Sequence, residues 1–177
     1  KPVSALITIN QTTDFEQSNP CLARSTQGNL LIGWESLATG DGNGFDIFVR
    51  AYSLNGDAVP STVSDETRVN THIIGRQEMS TVEALDNGTF VVGWDDENEQ
   101  GLNNYGVLAR IVDANGQMSD EPFLIPSDNA GDQKHLALAA VPGGGFVATW
   151  TSILPAGTAD VMVQRFTSSG ERVYETD

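Results

Sequence analysis

Apolar residues in this chain follow no helical period. They gather in short runs that each close on a tryptophan: Gly28-Asn29-Leu30-Leu31-Ile32-Gly33-Trp34, Gly88-Thr89-Phe90-Val91-Val92-Gly93-Trp94 and Gly144-Gly145-Phe146-Val147-Ala148-Thr149-Trp150. The tryptophans Trp34, Trp94 and Trp150 stand 60 and 56 residues apart. Gln17, Gln77 and Gln133 precede them at the same two spacings. An arginine follows in each repeat at Arg50, Arg110 and Arg165, and a turn glycine at Gly56, Gly116 and Gly170. Four markers recurring in one order define an internal repeat.

Each repeat reads as four β-strands, rich in Val, Ile, Phe and Trp and bounded by Gly, Asn and Asp. The first strands are expected at Asn19–Ser25, Ser80–Leu85 and Leu136–Val141, and the second at Asn29–Ser36, Thr89–Asp96 and Gly145–Ser152. The third fall at Phe45–Ser53, Tyr105–Asp113 and Ala159–Thr167, and the fourth at Thr67–His72 and Pro122–Ser127. Asn87-Gly88 sits between first and second strands, where both residues tolerate a left-handed backbone. The third strand is apolar on both faces, with Phe48, Leu108 and Val163 on one and Ile47, Val107 and Met162 on the other. A sheet buried on both sides lies between two other sheets, as in a propeller. The expected fold is therefore all-β. A single repeat domain spans 1–177, made of three four-stranded antiparallel blade-like units (17–76, 77–132 and 133–177) in a β-propeller-like stack. The third unit lacks a fourth strand. Ile7-Thr8-Ile9 aligns with Thr67-Arg68-Val69 and Phe123-Leu124-Ile125, so the N-terminal strand 5–10 is expected to complete the last unit. It does so either within its own chain or in a neighbouring one.

These motifs resemble the tandem repeats of large bacterial secreted and cell-surface, adhesin-like proteins. The matching segments are Gly144–Trp150, Tyr105-Gly106-Val107-Leu108-Ala109-Arg110, Asp113-Ala114-Asn115-Gly116 and Val69-Asn70-Thr71. The resemblance implies propeller-type architecture and a secreted or cell-surface setting. It supplies no catalytic residue.

Charge narrows the partners. With 9 Lys and Arg against 24 Asp and Glu, the net charge is −15. Nothing provides the basic face that phosphates require, so nucleic acid is excluded as a partner. No apolar run reaches the ~18–20 residues of a membrane helix, and no membrane insertion is expected. Cys21 is the only cysteine, which rules out an intrachain disulfide. The sequence opens at Lys1-Pro2-Val3 inside a strand lead-in, which points to a piece of something longer.

Candidate chemistry is sparse. No cofactor is expected, with Ca²⁺ as the one exception considered. The loop Asp41-Gly42-Asn43-Gly44-Phe45-Asp46 offers Asp41, Asn43 and Asp46 as oxygen ligands for that hard cation, without the full EF-hand pattern. The arginines read as strand-to-strand anchors, and the tryptophans as core. His72 and His135 are the only histidines, and neither stands in a nucleophile motif. The reading adopted is a non-catalytic, structural or cell-adhesion module, not an enzyme. It acts by self-assembly, as a homo-oligomer or filament through strand or blade complementation, or by binding a glycan or surface protein. The alternatives are a carbohydrate-binding, lectin-like propeller and a glycosidase-like enzyme.

Overall fold

The computed structural model describes residues 6–37, 44–54, 61–97, 104–128 and 130–174, with the backbone alone at Met79 and Ser80. Every regular element among the described residues is a strand. The first sheet contains β1 (Gln17–Arg24), β2 (Asn29–Ser36), β3 (Asp46–Ser53), β4 (Ser61–Thr62) and β5 (Thr67–Arg68). The second contains β6 (Gln77–Ala84), β7 (Phe90–Glu97), β8 (Tyr105–Val112) and β9 (Phe123–Leu124). The third contains β10 (Asp132–Ala140), β11 (Phe146–Ile153) and β12 (Ala159–Phe166). All pairings are antiparallel.

The hairpin between first and second strands is the same in each unit. The N–H of Ser25, Leu85 and Val141 donates to the carbonyl of Asn29, Thr89 and Gly145. Gly28, Gly88 and Gly144 take φ of 92°, 86° and 111°, a region that side chains disfavour.

The sheets stack face on face. Leu31, Ile47, Val49 and Val69 of the first pack against Phe90, Val92 and Trp94 of the second. Val91, Val107, Ala109 and Ile125 of the second pack against Phe146, Ala148, Trp150 and Phe166 of the third. The middle sheet is thus buried on both faces, as the pattern of its third strand predicts.

Four expectations are corrected. The first strands begin earlier than predicted, at Gln17, Gln77 and Asp132, and each carries a β-bulge. The bulge puts Asn19 and His135 at φ of 47° and 62° and breaks the alternation by which a strand is recognised. The fourth strands shrink to two-residue pieces.

The third correction concerns Arg165. Register pairs Ile32 with Arg50 and Val92 with Arg110, but it pairs Ala148 with Gln164. The loop before β12 is two residues shorter than its counterpart before β8, so the third strand returns 54 residues on where the second returns 56, one short of the 55 that separate Arg110 from Arg165. A one-residue offset turns a side chain to the opposite face. Arg165 is exposed. Gln164 holds the repeat position instead, donating to the Val173 carbonyl at 3.0 Å, as Arg110 Nε donates to that of Ser119. By the same register Met162 matches Phe48 and Leu108, while Val161 matches Ile47 and Val107.

The anchors differ accordingly. Arg110 Nη1 reaches across to the first unit's Val69 carbonyl at 2.9 Å, and its other nitrogens hold the Ser119 and Asp120 carbonyls. Arg172, rather than Arg165, makes the comparable reach into the second unit, at the Leu124 and Pro126 carbonyls. Arg110→Met is expected to cost about 2–3 kcal/mol, since charge-assisted bonds are lost and carbonyls stranded. Arg165→Ala should stay within about 0.5 kcal/mol. Urea denaturation of the two variants checks the contrast, and equal costs would reject this register.

The fourth correction concerns the N-terminal segment. It does not pair with β12 in its own chain. Arg50 Nη1 donates to the Ile9 carbonyl at 2.7 Å, and Gln11 and Thr12 bond the Glu66 carboxylate through their backbone N–H groups. Residues 6–12 therefore lie on the first unit, at the opposite end of the stack from the third.

Candidate functional site

One corner recurs in each unit, where the first strand begins, the second ends and the preceding connection arrives. Its centre is the Gln–Trp pair. Trp34 Nε1 donates to Gln17 Oε1, and Trp150 Nε1 to Gln133 Oε1, each at 2.9 Å. A buried indole N–H needs such a partner, which explains why glutamine accompanies tryptophan in the repeat. All three tryptophans are buried.

In the second unit this corner is closed. Trp94 Nε1 turns to Asp96 Oδ2 at 3.4 Å, and Asp96 Oδ1 lies 3.1 Å from His72 Nδ1. Asn70 Nδ2 donates to Asp46 Oδ1 at 2.6 Å and to the His72 carbonyl, while its own oxygen accepts the Ile47 N–H at 2.8 Å. The fully buried Gln77 amide sits 3.2 Å from the Phe45 carbonyl, Asp46 and Asn70. Burial pushes the Asp96 carboxyl above its ordinary value, against the opposing pull of His72. Two carboxylates, Asp46 and Asp96, are thus consumed in clasping the first unit to the second.

In the third unit the same corner is open. A cleft of about 250 Å³ is lined by Trp150, Gln133, Ser152, Met162, Asp160 and Asp128, among others. Asp160 occupies the register position of Asp46, since Ser36 pairs with Asp46 and Ser152 with Asp160. Here no asparagine covers it, because the Asn70 that covers Asp46 arrives with the fourth strand of Asp46's own unit, and among the described residues the third unit has no such strand. The carboxylates of Asp160 and Asp128 are exposed at the cleft wall. A second cleft, about 220 Å³, opens at the first unit's corner beside Gln17 and Trp34, with Ile9, Asn10 and Ser18 on its walls.

The sequence-predicted residues fall as follows. Trp34, Trp94 and Trp150 form these corners. Arg50 and Arg110 clamp neighbouring carbonyls, and Arg165 does not. Asp41 and Asn43 lie outside the described residues, and Asp46 is committed to Asn70 and, at 3.8 Å, to Arg68. Among the described residues, no group of three or more His, Cys, Asp or Glu side chains is placed to hold a metal. Sequence reasoning missed Asp160. Its signal was the shared register with Asp46, hidden by the shorter third-unit loop.

No family model matches the chain, and no curated protein matches it. Solved structures do. An endo-arabinase from Bacteroides thetaiotaomicron aligns with a TM-score of 0.54 at 12% identity, over 98% of this chain and 62% of that one. A levansucrase variant of B. megaterium aligns with a TM-score of 0.55 at 7% identity, over 90% of this chain and 55% of that one. The class defined is therefore an all-β, antiparallel, propeller-like fold of the kind these enzymes share. The chain spans about three fifths of their length. Membership in an adhesin-like repeat family does not follow. The expectation of a non-catalytic adhesive module, and of no enzyme, is corrected on this finding, because the folds on which most of the chain lies are those of enzymes. No helix among the described residues is long and apolar enough to cross a membrane.

Proposed function

We propose that this chain forms part of a glycoside-processing, glycosidase-like enzyme, with saccharide held in the third-unit cleft. The observation that carries the reading is the pair of exposed carboxylates, Asp128 and Asp160, on the walls of one cleft around Trp150. Cleavage of a glycosidic bond needs two carboxyl groups flanking it. One protonates the departing oxygen, and the other attacks the sugar or activates water. Asp160 is fixed on β12, whereas Asp128 rides on the connection before β10. Gln133 and Ser152 offer polar groups for sugar hydroxyls, and Trp150 and Met162 an apolar wall for a ring face. A cleft near 250 Å³ is small beside the ~300–1,000 Å³ of drug-sized sites and suits one sugar residue rather than a long chain. The fold likeness to an endo-arabinase and a levansucrase supports the same substrate class. An acidic chain acting on polymeric sugar outside the cell is in keeping with this reading.

The test is direct. The protein is incubated with arabinan, arabino-oligosaccharides and levan, and released sugars are measured. Activity is expected, with Asp160→Asn and Asp128→Asn each losing about 10²–10⁴-fold, the usual share of a general acid or base. Saccharide binding without release by the wild type would reduce the protein to a sugar-binding module. Neither binding nor release would overturn the proposal.

A further inference from the structure

The two ends of the stack are the halves of one interface, and we propose that a second copy of this chain fills it head to tail. The tail is the outer face of the third unit. Val161 and Val163 are 83% and 67% exposed. Their register equivalents Ile47, Val49, Val107 and Ala109 are all buried against a following unit. The head is the outer face of the first unit. Leu22 there is 64% exposed, whereas its equivalent Val82 is 7% exposed and packs on the unit before it.

Two substitutions match across these ends. In the junction between second and third units, Leu136 presses on Gly93, and a Cβ at Gly93 would come 2.2 Å from its Cδ2. At the tail Thr149 stands in the place of Gly93, and at the head the smaller Pro20 stands in the place of Leu136. In the same junction Asp95 accepts the N–H groups of His135 and Leu136. The tail has Thr151 in the place of Asp95, and Pro20 at the head has no N–H to give. A larger residue meets a smaller one, and the lost acceptor meets the loss of one of its two donors, Asn19 keeping the N–H that matches that of His135.

The edge strand completes the fit. The Ile9 carbonyl is held by Arg50 as that of Val69 is held by Arg110, both 41 residues apart in sequence. Asn10 Nδ2 donates to the Thr12 carbonyl as Asn70 Nδ2 donates to that of His72. The segment 6–10 therefore sits on the first unit as the fourth strand of a preceding unit would. In the other units that strand's N–H bonds the third: Val69 to the Ile47 carbonyl at 2.7 Å, and Ile125 to that of Val107 at 3.0 Å. The corresponding carbonyl on the tail is that of Val161. Among the described residues, β12 is met on its outer edge only by the bridge to Arg172 and the bond from Val173. A second copy thus brings both a covering face and the missing edge strand, a form of strand addition. It lays its Asn10 over Asp160 as Asn70 lies over Asp46, so the third-unit cleft is open to saccharide only at a free tail. The contact is heterologous, closing into a ring or running on as a filament. Two copies would bring six units together, within the usual 4–8 of propellers.

Native mass spectrometry and sedimentation over a concentration series test this. The wild type should associate. Val161→Asp with Val163→Asp blocks the tail, and Leu22→Asp blocks the head. Each should weaken association by about a hundredfold or more, as loss of an interface anchor does. Circular dichroism guards against misfolding, and Val161→Thr and Leu22→Ser are milder substitutes should either variant unfold. The decisive step is mixing. Tail-blocked copies keep an intact head, and head-blocked copies an intact tail, so the mixture should form a 1:1 heterodimer that neither makes alone. A wild type that stays monomeric near millimolar concentration, association indifferent to the blocks, or no heterodimer on mixing would each overturn the proposal.

Discussion

Trp94→Ala should be the most damaging tryptophan substitution in the chain, at about 3–5 kcal/mol. Trp94 is fully buried between Leu31, Ile47 and Val49 of the first unit and its own sheet. Truncation opens a cavity that two stacked sheets cannot close without sliding. It also strips Asp96 of one donor, leaving His72 and the Gln77 amide to hold that carboxyl. Trp34 and Trp150 border clefts, so their surroundings can relax and their Ala variants should cost less. Trp94→Phe keeps most of the packing and should fall well short of the Ala variant. The check is equilibrium urea denaturation of the three Ala variants side by side. A cost for Trp94→Ala below about 1.5 kcal/mol, or one no larger than for the other two, would defeat the account of the closed corner.

The tryptophans were legible in the sequence because repetition and apolar patterning report the same thing, a core strand used three times. The glutamines were legible as markers, but their purpose was not. It needed the turn that brings Gln17 within 2.9 Å of the Trp34 indole. The first strands were misplaced because a bulge inserts residues that the period-two pattern cannot accommodate. Arg165 misled because chemistry was matched where register had slipped. Nothing in the residue type says that Gln164, one position earlier, inherits the role. The same slip hid Asp160, the acid on which the functional proposal rests. The N-terminal segment reads as a fourth strand from Ile7-Thr8-Ile9, with the third unit of its own chain and that of a neighbour both left open; within its own chain it lies on the first unit instead. That choice depended on where Arg50 reaches, which pattern alone does not encode.

Asp95→Ala should cost about 2–4 kcal/mol, because it strands two backbone donors of the β10 bulge. Asp95 is almost wholly buried on β7, and its oxygens accept the N–H of His135 at 2.8 Å and of Leu136 at 3.4 Å. A bulge turned to positive φ at His135 has no neighbouring strand to satisfy those groups, so the carboxylate of the preceding unit does it. The same burial pushes the Asp95 carboxyl above the ordinary 3.8, while the two N–H groups and His135 pull it back and Glu78 adds to the rise. Between 3.8 and the raised value the folded chain holds a proton that the unfolded chain has released. Stability from this group is thus fully present below the ordinary value and lost as pH rises through the folded one. Asp95→Asn removes the titration and keeps one acceptor. The stability of wild type minus that of Asp95→Asn should therefore fall as pH climbs from about 3.5 into the neutral range. Asp96, raised by burial as well, should give the same sign in Asp96→Asn. Denaturation curves across that range decide it. A difference that is flat or rises with pH would mean the bulge donors outweigh burial, and Asp95 would then be an ordinary stabilising carboxylate.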